Sequence, residues 1–110
     1  MSKPTLFGLY TAQFPFLDTH ENKLRPVIVI SQPQGRHNIV VIIPISSQIK
    51  REGPDMVLRQ WKSEGLIKPS VARVHRLTTM LQSDLIAELG ELQSKDIKSL
   101  KDAIRTFLDL

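Results

Sequence analysis

Hydrophobic positions fall into short blocks over the first two thirds of the chain and into a helical repeat after them. Four runs, residues 6–14, 27–31, 39–45 and 71–77, are rich in β-branched and other apolar side chains and are bounded by turn formers, which predicts strands. The middle two are almost wholly apolar rather than alternating. That is the pattern of central strands buried on both faces, as in a strongly curled sheet that carries a helix. Between them Pro33-Gln34-Gly35-Arg36-His37-Asn38 is a polar turn, so the two are predicted to pair antiparallel.

Three stretches carry helix signals. Residues 54–64, with Pro54 and Asp55 at their start, are good helix formers, and Gly65 supplies a stop, which predicts a short middle helix. Ser83 before residues 84–88, with Gly90 as terminator, predicts another, and Ser94 before residues 95–108 predicts the strongest. In the last, Ile97, Leu100, Ala103, Ile104, Phe107 and Leu108 recur at three- and four-residue steps. Lys95, Lys98, Asp102 and Arg105 take the other face, so this helix should pack on the sheet. The expected fold is therefore β-rich α+β.

Composition narrows the picture. At 110 residues the chain suits one domain, 1–110, able to bury about two thirds of its unfolded surface. The absence of cysteine excludes a disulfide framework, a thiolate nucleophile and Cys-containing zinc sites, and is compatible with a reducing cytosol. The longest apolar run, residues 39–45, is far short of the ~20 residues of a membrane span, and no signal-peptide pattern opens the chain. A soluble, cytoplasmic protein is expected. Fifteen Lys and Arg against eleven Asp and Glu give +4, which suits a polyanionic partner, although a solvated mixed-charge surface gives a similar total.

Position says more than the sum. Pro26 lacks an N–H and is favoured at the first residue of a strand, which places Arg25 at the sheet's rim beside the polar loop that holds His20, Glu21 and Lys23. If the second and third strands pair through the 33–38 turn, Ser46 and Ser47 end beside Arg25. In the fourth run Arg73 and His75 share a face about 7 Å apart, with Arg76 on the opposite face. The plain alternatives are a solvated strand-start arginine and a turn-capping Ser46-Ser47. His20 and His37 are lone loop histidines without metal-ligand spacing, so no metal is expected. Phe14-Pro15-Phe16 reads as an anchor at the core's edge, and Trp61 as packing inward.

In order, Phe14-Pro15-Phe16, Lys23-Leu24-Arg25-Pro26-Val27-Ile28-Val29-Ile30-Ser31, Ile43-Pro44-Ile45-Ser46-Ser47-Gln48, Gly65-Leu66, Pro69-Ser70-Val71 and Arg73-Val74-His75 are present, followed by the closing helix. This series resembles the MazF/PemK-like toxins of type II toxin-antitoxin systems over nearly the whole chain. The resemblance implies a small SH3-like barrel with a packed C-terminal helix and a homodimer. It implies metal-independent, cofactor-free cleavage of single-stranded RNA at short sequences through a 2′,3′-cyclic phosphate. A cognate antitoxin with an acidic tail would inhibit the protein.

It also implies that Arg25 and Ser46 are the principal catalytic groups, with serine where members more often have threonine. Arg73 matches the arginine of an Arg-x-Asp pair found in some members, but His75 stands where the Asp would be. His20-Glu21 matches a loop pair in a loop one residue shorter here, and Gly8-Leu9-Tyr10 departs from the usual Gly-Asp-Ile. With a pKa above ~12, Arg25 and Arg73 suit charge stabilisation on the phosphate, while His75, or less favourably His20, suits proton transfer. Lys23, Ser47 and Arg76 join His20 and Glu21 as expected RNA contacts. The competing readings are a CcdB-like gyrase-directed toxin and a non-catalytic SH3-like nucleic-acid module.

Overall fold

Seven strands and one α-helix are found in the computed structural model, which describes residues 3–13 and 24–110. They are β1 (Gly8–Gln13), β2 (Leu24–Val29), β3 (Ile39–Ser46), β4 (Asp55–Val57), β5 (Val71–Arg73), β6 (Thr78–Leu81), β7 (Leu85–Glu91) and α1 (Ser94–Leu108). Every strand pair is antiparallel, in the order β4-β5-β3-β2-β1-β7, with β6 also on β3. Among the described residues no pairing joins edge strands β4 and β7, so the expected barrel is an unclosed sheet. The fold is mostly antiparallel sheet with one helix after it, and no described helix is long and apolar enough to cross a membrane.

The two apolar strands behave as their sequence demands. Val27 faces Pro44, Ile28 faces Ile43 and Val29 faces Ile42, all closed by the 33–38 turn, where Asn38 and Gly35 take positive φ. Both faces of this pair are dry. Leu9, Ile28, Ile43, Ile45, Ala72 and Leu100 share one core, and Tyr10, Ala12, Val27, Val29, Val40, Ile42 and Leu85 share the other. Helix α1 spans the predicted residues and seals the first core with Leu100, fully buried and worth about 1.5–3 kcal/mol by that burial alone.

Two predicted helices are absent. Residues 54–64 hold strand β4 and a run of turns: Met56 and Leu58 are buried while Val57 is exposed, a period of two that locks onto β5 and overrides helix propensity. The stretch 84–88 lies in a 3-10 turn, Gln82–Asp84, and in β7, whose pairing with β1 wins over its helix-forming Leu, Ala and Glu. Gly65 and Gly90 are therefore not helix stops. They let two backbones touch: a Cβ on Gly65 would lie 2.2 Å from the Leu89 carbonyl, and one on Gly90 2.5 Å from that of Glu64. The run 71–77 also breaks, with β5 yielding at Val74–Arg76 to a 3-10 turn before β6.

A buried acid pair ties the 58–66 segment to α1. Asp96, in the first turn of α1, accepts the N–H groups of Arg59 at 3.3 Å and Gln60 at 3.0 Å. Glu64 is fully buried and accepts the Gln93 N–H at 2.8 Å through Oε2, whereas its Oε1 has no partner. Burial pushes the Glu64 carboxyl up to about 7; the Gln93 N–H pulls the other way, and neighbouring Asp96 adds to the rise. Trp61, on this segment, packs partly buried against the first core, as its sequence position suggested.

Candidate active site

A proline opens the rim. The β2–β3 register ends at Val27 opposite Pro44, and the next β2 position, Pro26, has no N–H with which to continue the ladder. Carried two residues further, the register sets Arg25 opposite Ser46. Arg25 pairs with Ala12 on its other side, its side chain is exposed, and among the described residues it has no hydrogen bond or ion pair. Ser46 is half-buried, and its Oγ accepts the Gln48 N–H at 3.1 Å, which leaves its own O–H free to donate.

Arg73 meets a different fate from the one its sequence suggested. Strands β3 and β4 both run antiparallel to β5 and flank it, so they are parallel to each other and residues 47–54 must cross the sheet between them. Arg73 fastens this crossing. Its guanidinium donates to the Lys50 carbonyl at 3.1 Å, to the Gln48 carbonyl, and to Asp55 Oδ2 at 2.7 Å directly across the β4–β5 register. The side chain is 5 % exposed. Arg73 shares a face with Ser46 and Arg25 by register, yet it lies under the loop, committed to holding it.

His75 and Arg76 complete the cluster. His75 is on the 3-10 turn, not on a strand, and its Nε2 lies 3.0 Å from Glu52 Oε1. Its Nδ1 is buried without a hydrogen bond, 3.7 Å from Asp55 Oδ1, which is equally unpartnered. Gly53 closes over the ring, since a Cβ there would sit 3.2 Å from Nδ1. The turn also brings Arg76 to the same carboxylate as His75, contrary to the opposite face expected of a strand: Arg76 Nε donates to Glu52 Oε1 at 2.8 Å. Hydrogen bonds from Arg76 and then His75 hold the Glu52 carboxyl below its usual range. Burial raises that of Asp55, but the N–H groups of Glu52 and Gly53 and the Arg73 charge outweigh it and leave it lowered.

Of the residues singled out by sequence, the structure thus groups Arg25 with Ser46 at the rim and Arg73, His75 and Arg76 under the crossing loop. Ser47 is exposed just past Ser46, and His37 is exposed in the 33–38 turn. His20, Glu21 and Lys23, like Phe14-Pro15-Phe16, lie outside the described residues. Glu52 and Asp55 were missed. A signal existed: Arg73, His75 and Arg76 stand within four residues with no local acid, so carboxylates had to come from elsewhere in the chain.

Comparison with known proteins places the fold. Residues 7–108 match the family described as PemK-like, MazF-like toxin of type II toxin-antitoxin system. The chain belongs to that family. The solved structure of Mycobacterium tuberculosis toxin MazF-mt6 is similar at TM-score 0.74 and 22 % identity, covering 94 % of this chain and 97 % of that one. An endoribonuclease in complex with its cognate antitoxin, from a mycobacterial species, matches at TM-score 0.77 and 18 % identity, over 100 % and 97 % of the two chains. MazF from Deinococcus radiodurans matches at TM-score 0.76 and 16 % identity over 100 % of both. At these identities the likeness is one of fold. No curated protein matches in sequence.

Proposed function

We propose that this protein is a toxin endoribonuclease that cuts single-stranded RNA at short sequences without a metal, as a homodimer, and that a cognate antitoxin with an acidic tail restrains it in the cytoplasm. The observation that carries the reading is the open rim, where Arg25, unpaired among the described residues, stands opposite the Ser46 hydroxyl on a MazF-type fold.

The chemistry follows from those two groups. When a ribose 2′-OH attacks its own phosphate, charge accumulates on the non-bridging oxygens of the phosphorane. A free guanidinium supplies two parallel N–H donors to such oxygens, and the Ser46 O–H adds a third. Arg25 is the charge stabiliser and Ser46 the group that positions the phosphate. Arg73 serves the site from beneath, by fixing the loop that starts at Ser47. Ser47 and the segment containing His20, Glu21 and Lys23 flank the rim in sequence and would contact the RNA on either side.

Incubating the protein with a mixed-sequence RNA in EDTA tests the reading. Cuts at recurring short sequences, ending in 2′,3′-cyclic phosphate, are the expected result. Arg25→Ala should slow them by about a hundredfold or more, the usual cost of losing one such donor, with the fold intact. RNA left whole over many equivalents of protein would remove the enzymatic reading, and wild-type turnover by Arg25→Ala would remove Arg25 from the site.

A further inference from the structure

His75 is poorly placed to exchange a proton with RNA. One ring nitrogen is bonded to Glu52, and the other is buried beneath Gly53. The Glu52 carboxylate has the opposite character. Its side chain is 40 % exposed, its Oε1 takes both His75 and Arg76, and among the described residues its Oε2 accepts no hydrogen bond, with only a loose 3.9 Å ion pair to Arg73 Nε. Two basic side chains therefore grip one oxygen atom and leave the other available. Glu52 Oε2 lies 3.9 Å from Arg73 Nε, and Arg73 shares a face of the sheet with Ser46 and Arg25 by register, so the carboxylate stands on the side of the sheet that carries the rim groups.

From this arrangement we infer that Glu52 is the proton acceptor in RNA cleavage and that His75 is a positioning residue that holds it. The inference rests on the RNA-cleavage reading above and deepens it. Glu52 Oε2 takes the 2′-OH proton as O2′ bonds to phosphorus. The P–O5′ bond then breaks, the departing 5′-oxygen takes a proton from solvent water, and Glu52 returns its own proton to solvent. The products are a 2′,3′-cyclic phosphate and a 5′-hydroxyl. The cations around Glu52 keep it ionised at neutral pH, and the charge of a bound phosphate works the other way, restoring basicity where it is needed. Asp55 completes the positioning by holding Arg73 and the backbone of residues 52 and 53.

Single-turnover cleavage of mixed-sequence RNA in EDTA by Glu52→Gln and His75→Gln separates the possibilities, with 2′-O-methyl RNA used to read binding alone. Glu52→Gln is expected to cut at least about a hundredfold more slowly while binding the methylated RNA as wild type does, the range for a lost general base. His75→Gln, whose amide N–H can replace that of the imidazole, should keep most of the activity. Added formate should restore cleavage to Glu52→Ala, which a merely structural role would not allow. Cleavage by Glu52→Gln at the wild-type rate, failure of formate to rescue, or His75→Gln as inactive as Glu52→Gln would each overturn the assignment while leaving the RNase reading standing. If the wild-type protein leaves the RNA whole, that reading falls and takes this assignment with it.

Discussion

Replacing Glu64 with glutamine isolates one proton in the core. In the folded protein burial pushes this carboxyl up to about 7 from its ordinary 4.5, and Asp96 beside it adds to the rise. A folded-state value above the unfolded one means that the native state holds the proton more tightly. The stability contributed by this proton is therefore complete below about pH 4.5 and is lost as pH rises through 7. The gap corresponds to about 3 kcal/mol, a large share of a small domain's stability. Glutamine mimics the protonated acid: it can still accept the Gln93 N–H, and its amide can donate to Asp96. Urea unfolding followed by Trp61 fluorescence, at fixed protein concentration, gives the difference between Glu64→Gln and wild type at pH 5 and pH 8.5. At pH 5 the variant should gain less than about 1 kcal/mol over wild type, and at pH 8.5 up to about 3 kcal/mol. Titrating groups other than Asp96, which faces Glu64, cancel in that difference. A difference that does not change with pH would refute the argument.

Other consequences are more local. Arg73→Ala should lower the unfolding free energy by about 3–5 kcal/mol, as when one partner of a buried ion pair is removed, and a melting curve will show whether Arg73 is the fastener described or a dispensable surface cation. Gly65→Ala should destabilise strongly, since its φ of +97° and the Leu89 carbonyl both exclude a Cβ, and unchanged melting would mean that the 65–90 contact is not formed. Ser46→Ala should slow RNA cleavage without altering the melting temperature, because the hydroxyl's one hydrogen bond among the described residues is an exposed one from Gln48, and equal loss of stability would give it a structural role instead.

What the sequence disclosed was local. The hairpin of β2 and β3 and the full length of α1 are written in contiguous residues, an apolar block on each side of a polar turn and a repeat of three and four. Strands β4 and β7 are not written that way. Their residues favour helix, and only their partners, β5 and β1, make strands of them. The candidate site divides along the same line. Arg25 was legible because Pro26 stands next to it, and Ser46 because it ends an apolar block. Glu52 and Asp55 act on residues about twenty positions further along, across a loop whose path depends on β4 being a strand; once 54–64 is read as a helix, that encounter disappears. His75 and Arg76 were assigned to opposite sides for a related reason, since period two fails when the chain tightens into a 3-10 turn.

Pro26, where the β2–β3 ladder ends, also guards against register slippage. A slip that keeps buried faces buried must move by two residues. In one direction it carries Pro26 opposite Ile43, so a residue without a donor enters the interior of the ladder. The native alignment keeps that missing donor at the end. The spacing between Arg25 and Ser46 is thereby set by the strands' own pairing rules, and a change of rim sequence can alter what is bound there without shifting where the two groups stand.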